Sequence, residues 1–293
     1  MAPLSRKALL PLIKAALRED RARHDATSRA VLPAALRIRA RIIAKAPGIL
    51  AGVKLAALVF TTLDPSLRCR LHRRSGAALK LGTPILTVEG RARSIFAAER
   101  TALNFLGHLS GVATLTRAFV DRARGTRARI LDTRKTLPGL RALEKYAVRA
   151  GGGTNHRSDL AEAILIKTNH LKALGRSQTI PKAIAKTRSV RPKNFVEVEV
   201  ANLREFKAAL GAKPDAILLD NWRLPDIRTA VLLRKSTILL EVSGGVTLAN
   251  VRAIAKTGVD RISIGRLTHS APSLDVSLEV TLKSDSHFPK RRK

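Results

Sequence analysis

Short apolar runs alternate with amphipathic stretches from Ala128 almost to the end of the chain. Six runs predict strands: Ala128–Leu131, Ala163–Ile166, Phe195–Val200, Ala216–Leu219, Thr237–Val242 and Arg261–Ile264. The stretches between them predict helices at Leu140–Arg149, Pro181–Lys186, Leu203–Leu210, Asp226–Arg234 and Leu248–Lys256. Apolar strands joined by helices are typical of parallel sheets with right-handed crossovers. The pattern predicts an open doubly wound sheet or a β/α barrel with fewer than the usual eight strands.

The first hundred residues mix helices and strands without this alternation. Apolar residues alternate with arginines from Leu36 to Ile42, which predicts a half-buried strand with a cationic outer face. The other predicted elements are a helix over residues 1–19, a polar linker over 18–33, a helix at Gly52–Leu63 and strands at Leu67–Leu71, Ala77–Leu81 and Ile85–Gly90. This mixture favours an α+β open sandwich over residues 1–110.

Two further segments flank the alternating region. Apolar residues from Ala98 to Leu109 predict one helix and Val112–Arg124 a second, with Gly111 separating them. The alternation within Pro272–Leu282 predicts a strand that returns to the first domain. We therefore expect a first domain over 1–110 with 272–282, a six-stranded unit over 111–271 and a basic tail over 283–293.

Composition limits the classes of function. The 293 residues carry 55 Lys and Arg against 22 Asp and Glu, a formal net charge of +33. A nucleic-acid partner is not expected, because the charge is spread out and aromatic residues make up only 3%. With one cysteine, Cys69, the chain cannot form an internal disulfide, and no apolar run has the length of a membrane span. These features predict a cytoplasmic protein that does not enter a membrane.

Every predicted strand of the alternating region ends in charged, polar or glycine residues. These ends are Asp132-Thr133-Arg134-Lys135, Lys167-Thr168-Asn169-His170, Glu197 with Glu199, Asp220-Asn221, Glu241 followed by Ser243-Gly244-Gly245, and Gly265-Arg266. Ligands of parallel α/β proteins bind at the carboxyl ends of the strands. The sequence therefore predicts one site built from all six ends, rich in cations and suited to anionic ligands.

The residue types at these ends suggest separate tasks. Ser243-Gly244-Gly245, before the helix predicted from Leu248, is typical of a phosphate-binding loop, and Gly265-Arg266 follows the next strand. Glu199 and Asp220 are carboxylates on adjacent strand ends, where they would hold Mg²⁺ or pair with a lysine.

Arginines and one histidine complete the candidate site. Arg134, Arg157 and Lys167 suit carboxylates and phosphates, although each alone could serve in a structural ion pair. His156 follows three glycines after a predicted helix, which places its loop at the end of a simple barrel opposite the ligand. Pattern alone leaves open whether His156 and Arg157 reach the ligand or are structural.

Several motifs together carry a family resemblance. They are ERTALNFLGHLSGVATLT at 99–116, DTRKTLPGLRALEKYAVRAGGGTNHR at 132–157, LIKTNH at 165–170, VEVEV at 196–200, ILLDN at 217–221, SGGV at 243–246 and ISIGRLTHSAPSLDVSL at 262–278. The chain resembles the quinolinate phosphoribosyltransferases, which join quinolinate to 5-phosphoribosyl 1-diphosphate with loss of CO₂ in NAD biosynthesis. The resemblance covers nearly the whole chain. It implies an incomplete six-stranded β/α barrel after an α+β sandwich, and a homodimer whose active site each partner completes.

The resemblance also implies roles for individual residues. Arg100 of the partner subunit, Arg134, His156 and Arg157 would bind the carboxylates of quinolinate, with Thr133 beside them. Lys135 and Lys167 would face both substrates, and Glu199 and Asp220 would bind Mg²⁺ and the ribose. The 5′-phosphate would be held by the residues of the last two loops: Ser243, Gly244, Gly245, Ile264, Gly265 and Arg266. The resemblance assigns the catalytic roles to Lys135, Lys167, Glu199 and Asp220, and it resolves the question of His156 in favour of the ligand.

Some positions depart from the pattern of the family. Thr168 stands where the family usually has aspartate, and Arg266 stands where it has a small residue. Two alternatives therefore remain open. One is a related pyrophosphorylase that acts on another base, and the other is a weakened enzyme that binds polyanions such as nucleic acid.

Overall fold

The computed structural model describes residues 5–174, 179–234 and 237–281. The chain divides into two compact units, residues 1–111 with 272–293, and residues 112–271. The predicted tail over 283–293 lies outside the described residues. Within the described part, no helix combines the length and the apolar character needed to cross a bilayer.

The first unit holds the amino-terminal elements. They are α1 (Arg6–Glu19), a 3₁₀ turn (Ala22–His24), α2 (Ala26–Val31), β1 (Arg37–Ala44), β2 (Gly48–Ile49), α3 (Val53–Leu63), β3 (Arg68–Leu71), β4 (Ala78–Leu79), β5 (Pro84–Arg91) and α4 (Ala92–Ala123), whose residues from Val112 onward belong to the second unit. The linker predicted over 18–33 is therefore wrong in part. Asp25 caps α2 by accepting a hydrogen bond of 3.0 Å from the backbone N–H of Ser28, which stabilises a helix too short to show a period.

The second unit holds the alternating elements. They are β6 (Arg129–Leu131), α5 (Arg141–Ala150), β7 (Ile164–Ile166), α6 (Thr168–Ala173), α7 (Ile180–Val190), β8 (Val196–Val200), α8 (Leu203–Ala212), β9 (Ala216–Asp220), α9 (Leu224–Leu233), β10 (Leu239–Ser243), α10 (Val251–Ala255), β11 (Arg261–Ser263) and α11 (Arg266–His269). The last strand, β12 (Val276–Thr281), belongs to the first unit. All six predicted strands of the second unit are present, whereas α6 and α11 escaped prediction because each spans at most two turns.

The sheet of the first unit has the order β12-β1-β5-β3 and is antiparallel. The prediction for β1 is confirmed, since Ala40, Ile42 and Ala44 are buried while Arg37, Arg39 and Arg41 are exposed. The carboxyl-terminal strand β12 pairs with β1, with Leu278 opposite Ile42, so the chain returns to its first sheet as the alternation indicated.

Gly111 does not separate two helices, because α4 is one helix of 32 residues. A Cβ atom at Gly111 would lie 2.0 Å from the carbonyl oxygen of Pro272, and one at Gly107 would lie 2.9 Å from that of Leu274. Glycine at these positions lets the returning segment pack directly on the helix backbone. The prediction of two helices was wrong because these glycines serve close packing.

The second unit is a six-stranded parallel sheet with the order β6-β11-β10-β9-β8-β7. Consecutive strands from β7 to β11 are neighbours, and β6 closes beside β11. This cyclic order, open between β6 and β7, is that of an incomplete barrel and differs from a doubly wound sheet. Val196, Leu219 and Ile262, which lie on three different strands of the sheet, are completely buried, as expected for strands covered by helices.

Candidate active site

The parallel strands of the second unit bring their carboxyl ends to one edge of the sheet. Asp132 and Lys167 directly follow β6 and β7, and Glu199 lies near the end of β8. Asp220 and Ser243 are the last residues of β9 and β10. The sequence prediction that these polar residues share one edge therefore agrees with the topology.

Two carboxylates and two lysines at this edge are close enough to interact electrostatically: Glu199, Asp220, Lys135 and Lys167. Burial raises the pKa of Asp220, and the neighbouring Glu199 raises it further, while Lys135 and Lys167 lower it. The backbone N–H of Thr168 donates a hydrogen bond of 3.2 Å to Oε1 of Glu199. Paired oxygen donors of this kind fit Mg²⁺, which is usually held by one or two carboxylates together with substrate phosphates.

The glycine-rich loop after β10 has a backbone that only glycine adopts easily. Gly244 and Gly245 have φ angles of 84° and 60°, and a Cβ atom at Gly244 would lie 2.1 Å from Oδ1 of Asn221. The backbone of Asn221 also has a left-handed conformation, and its N–H donates to the carbonyl of Ser243 at 2.9 Å. The helix α10 begins at Val251, so the prediction of a helix from Leu248 was wrong by three residues, and Thr247 and Asn250 form a turn before it.

The loop after β11 packs against the first loop of the unit. A Cβ atom at Gly265 would lie 2.8 Å from Cδ of Lys135, and the hydroxyl of Thr268 donates to the carbonyl of Lys135 at 2.6 Å. Ile264 is buried, while Arg266 is exposed at the first position of α11. The backbone N–H of Lys135 donates to Oγ1 of Thr133 at 3.0 Å. Gly265 therefore gives the stem of Lys135 room beside the phosphate loops.

Arg134 and Arg157 form a pair of neighbouring guanidinium groups, which we call the arginine clamp. Burial lowers the pKa of Arg157, and the positive charge of Arg134 lowers it further. Nη1 of Arg157 donates to the carbonyl of Ala163 at 2.8 Å, whereas the buried Nε of Arg134 has no hydrogen-bond partner among the described residues. Two adjacent cations with donors to spare suit a ligand with more than one carboxylate.

His156 lies between the arginine clamp and two buried glutamates of the sheet. Its Nδ1 lies 2.8 Å from the backbone nitrogen of Arg157, and its Nε2 lies 3.1 Å from Oε2 of Glu197 and 3.3 Å from Oε1 of Glu241. Burial opposes a charged ring, but the two carboxylates outweigh burial and raise the pKa of His156 to about 10. The backbone N–H of His156 donates to Oδ1 of Asp132, which directly follows β6, so the loop reaches the carboxyl-end edge, a point that sequence pattern alone left open.

His156, Glu197 and Glu241 have side chains of the types that bind metal ions, and their potential ligand atoms lie within 4.8 Å of one another. The surroundings of the ring contradict that interpretation. Nε2 faces both carboxylates and the pKa of the ring is raised, so Nε2 carries a proton that blocks coordination of a metal ion. Burial and the adjacent Glu241 raise the pKa of Glu197, so the cluster of His156, Glu197 and Glu241 retains protons rather than a cation.

A buried ion pair supports the loop that carries His156. Nζ of Lys145 lies 2.5 Å from Oδ1 of Asp132, and both side chains are completely buried. Nζ also donates to the carbonyl of His156 at 2.9 Å, and the N–H of His156 donates to Oδ1 of Asp132 at 2.9 Å. Asn155 donates to Oδ2 of Asp132. No role follows from the sequence for Lys145 or Glu241. Lys145 lies in a helix with several other charged residues, and Glu241 gives only the signal of a charge inside an otherwise apolar strand.

Arg100 is the one predicted site residue in the other compact unit. It lies on α4 and is exposed. Its predicted contribution to the site of a partner subunit therefore stays a prediction.

The fold and the edge define an enzyme of the β/α-barrel class that handles phosphorylated and carboxylated ligands. The chain belongs to the quinolinate phosphoribosyl transferase family, as the resemblance implied. The C-terminal domain of that family matches residues 112–279, and its N-terminal domain matches residues 25–110.

Relatives agree over almost the whole chain. The carboxylating nicotinate-nucleotide pyrophosphorylase of Mycobacterium leprae is 44% identical over 274 residues, which cover 92% of this chain and 95% of that protein. A probable enzyme of the same name from Bacillus subtilis is 42% identical, with 84% and 85% covered. The structure of the nicotinate-nucleotide pyrophosphorylase from Francisella tularensis has a TM-score of 0.88 at 38% identity and covers 96% of this chain and 98% of that one.

Proposed function

We propose that the protein transfers the phosphoribosyl group of 5-phosphoribosyl 1-diphosphate to quinolinate and releases pyrophosphate, CO₂ and nicotinate mononucleotide. It is thus a pentosyltransferase of NAD biosynthesis. The observation that carries the proposal is the clamp of Arg134 and Arg157 on the same edge as the loop of Gly244 and Gly245. One feature suits a dicarboxylate and the other suits a phosphate, and family membership joins them in one reaction.

The proposed chemistry follows from charge. The pyridine nitrogen of quinolinate bonds to C1 of the ribose as the bond from C1 to the pyrophosphate oxygen breaks. Lys135 and Lys167 stabilise the departing negative charge, as expected for catalysis by preorganised electrostatics. Glu199 and Asp220 would hold Mg²⁺, which when bound neutralises the pyrophosphate. The Ser243–Gly245 and Ile264–Arg266 loops would hold the 5′-phosphate.

Decarboxylation needs no nucleophilic side chain. Once the ring nitrogen carries a positive charge, it stabilises the electron pair left at C2 when CO₂ departs, and a proton then replaces the carboxylate. The arginine clamp, with Thr133 and His156 beside it, would orient the two carboxylates so that the nitrogen faces the ribose.

A turnover assay tests the substrate. Purified protein is mixed with Mg²⁺, 5-phosphoribosyl 1-diphosphate and either quinolinate or nicotinate, and pyrophosphate and CO₂ are measured. We expect both products with quinolinate. Pyrophosphate release with nicotinate alone would instead indicate a related enzyme for another base.

The proposal includes a cytoplasmic homodimer with shared sites, in which Arg100 of the partner subunit binds a substrate carboxylate. Arg100→Ala and Arg134→Ala would each be inactive alone. Mixed subunits would regain up to about a quarter of the activity if each site takes one residue from each chain, because half of random dimers are hybrids with one intact site. Failure of rescue with hybrid dimers confirmed would show that one chain supplies both arginines.

A further inference from the structure

Two glutamates without a role in the proposed chemistry lie inside the second unit. Glu197 on β8 and Glu241 on β10 are 1% and 0% exposed. Oε1 of Glu197 and both carboxylate oxygens of Glu241 have no hydrogen-bond partner among the described residues. Burying such groups is costly, so their presence calls for a task that apolar side chains could not perform.

Within the described ranges, the side-chain nitrogen that approaches both glutamates most closely is Nε2 of His156, at 3.1 Å and 3.3 Å. Its Nδ1 lies 2.8 Å from the backbone nitrogen of Arg157. The next nearest cation is Arg261, whose Nη1 lies 4.0 Å from Oε2 of Glu241. The ring is thus held at both nitrogens, with the barrel interior on one side and the backbone of the arginine clamp on the other.

The charges around Arg157 also favour a role for the buried glutamates in holding the clamp together. Arg134 and Arg157 repel each other across the clamp, and no carboxylate forms an ion pair with either of them in the described part of the chain. The negative charges of Glu197 and Asp159 act on Arg157 against that repulsion. The buried carboxylate of Glu197 therefore favours two neighbouring guanidinium groups before any ligand binds.

We propose that Glu241, with Glu197, is a positioning residue of the arginine clamp and acts on it through His156. The proposal rests on the proposed function, because it assumes that the clamp binds the carboxylates of the substrate. It gives His156 an orienting task in addition to its place in the carboxylate subsite.

A double-mutant cycle tests the proposal. Glu241→Gln keeps the volume of the side chain and removes its charge, and we expect it to raise the KM for quinolinate by about 10-fold, the effect usual for supporting partners of ligand-binding groups. The KM for 5-phosphoribosyl 1-diphosphate should change less than about twofold. In a His156→Asn background the same substitution should have no further effect, because the ring that transmits it is gone. Glu241→Asp should restore part of the affinity by returning the charge.

Glu144→Gln is the matched control. Glu144 is a buried glutamate of the same unit that accepts from the backbone N–H of Leu137 at 3.2 Å, and its substitution should leave the quinolinate KM unchanged in both backgrounds. Nitrogen-15 NMR of the histidines gives a reading independent of turnover. His156 should show a protonated Nε2 in the wild type, and the signal should shift in Glu241→Gln and not in Glu144→Gln.

The outcomes separate the two levels of inference. If neither Arg134→Ala nor His156→Asn weakens the turnover of quinolinate, the proposed function of the clamp fails. If those variants behave as expected but Glu241→Gln leaves KM and the NMR signal unchanged, the positioning role alone is overturned. Equal effects of Glu241→Gln with and without His156 would also overturn it. If Glu241→Gln does not fold, Glu241→Asp, which keeps the charge but withdraws the carboxylate from the ring, should show a smaller rise in the quinolinate KM and a smaller NMR shift, and no change in either would overturn the positioning role.

Discussion

The backbone N–H of Thr168 donates a hydrogen bond to Oε1 of Glu199 at 3.2 Å, so residue 168 stands directly beside a proposed metal ligand. The family resemblance implies aspartate at this position, and this chain has an uncharged threonine there. The bond comes from the backbone, and a substitution at 168 therefore leaves it in place while changing the charge next to Glu199 and Asp220.

Thr168→Asp should lower the Mg²⁺ concentration for half-maximal turnover by about tenfold, because a third carboxylate increases the charge available to the cation. The measurement is turnover of quinolinate across a Mg²⁺ titration. Thr168→Asn, which has the same shape without the charge, is the control and should resemble the wild type. An Asn variant that gains as much as the Asp variant would show that charge is not the cause.

Gly244→Ala and Gly245→Ala should differ, although both residues have positive φ. A Cβ atom at Gly244 would meet the side chain of Asn221 at 2.1 Å, whereas one at Gly245 has nothing within 4 Å. Backbone strain alone costs about 1–3 kcal/mol. We therefore expect Gly245→Ala to lose only that stability, and Gly244→Ala also to raise the KM for 5-phosphoribosyl 1-diphosphate. Steady-state kinetics and urea unfolding measure the two effects, and similar KM values in both variants would contradict the expected displacement of Asn221.

Lys145→Met should destabilise the protein strongly, because it leaves the completely buried Asp132 without its partner. Removing one member of a buried pair costs about 3–5 kcal/mol. Urea unfolding should show this loss, and Lys145→Met with Asp132→Leu should recover part of it. The exposed pair of Arg39 and Glu89 is the control, where Arg39→Ala should cost at most about 1 kcal/mol. A double variant no more stable than the single one would mean that Asp132 acts mainly through the backbone of His156.

Stability should depend on pH through the cluster of His156, Glu197 and Glu241. The pKa of His156 is raised from 6.5 to about 10 in the folded protein, so the folded state binds the proton more tightly than the unfolded state. The resulting stabilisation is complete below pH 6.5 and is lost as pH rises to about 10. Urea midpoints measured at pH 6.5, 8 and 9.5 should fall in the wild type, and His156→Asn should remove that part of the slope. The same slope in both proteins would place the titrating group elsewhere.

The order of strands and the residues at their ends could be predicted from the sequence, because fully buried parallel strands are apolar and their polar ends are abrupt. Two features of the fold and the site could not be predicted in this way. Glycine usually breaks helices, so the sequence predicts a helix end at Gly111, and only the returning Pro272 segment shows why glycine is needed there. Glu241 is visible in the sequence as a charge at a strand end, but its contact with His156 depends on the path of a loop and on strand register, and neither has a local sequence signal.

The pairing of β12 with β1 has a consequence for the order of synthesis. The first unit consists of residues 1–111 and 272–293, so the edge strand beside β1 leaves the ribosome only after the entire second unit. Until then, one side of β1 and the glycines of α4 that meet Pro272 and Leu274 are uncovered. The amino-terminal sheet is thus the first to be synthesised in part and the last to be completed. While the barrel is being translated, the unpaired edge of β1 is open to pairing with strands of other chains.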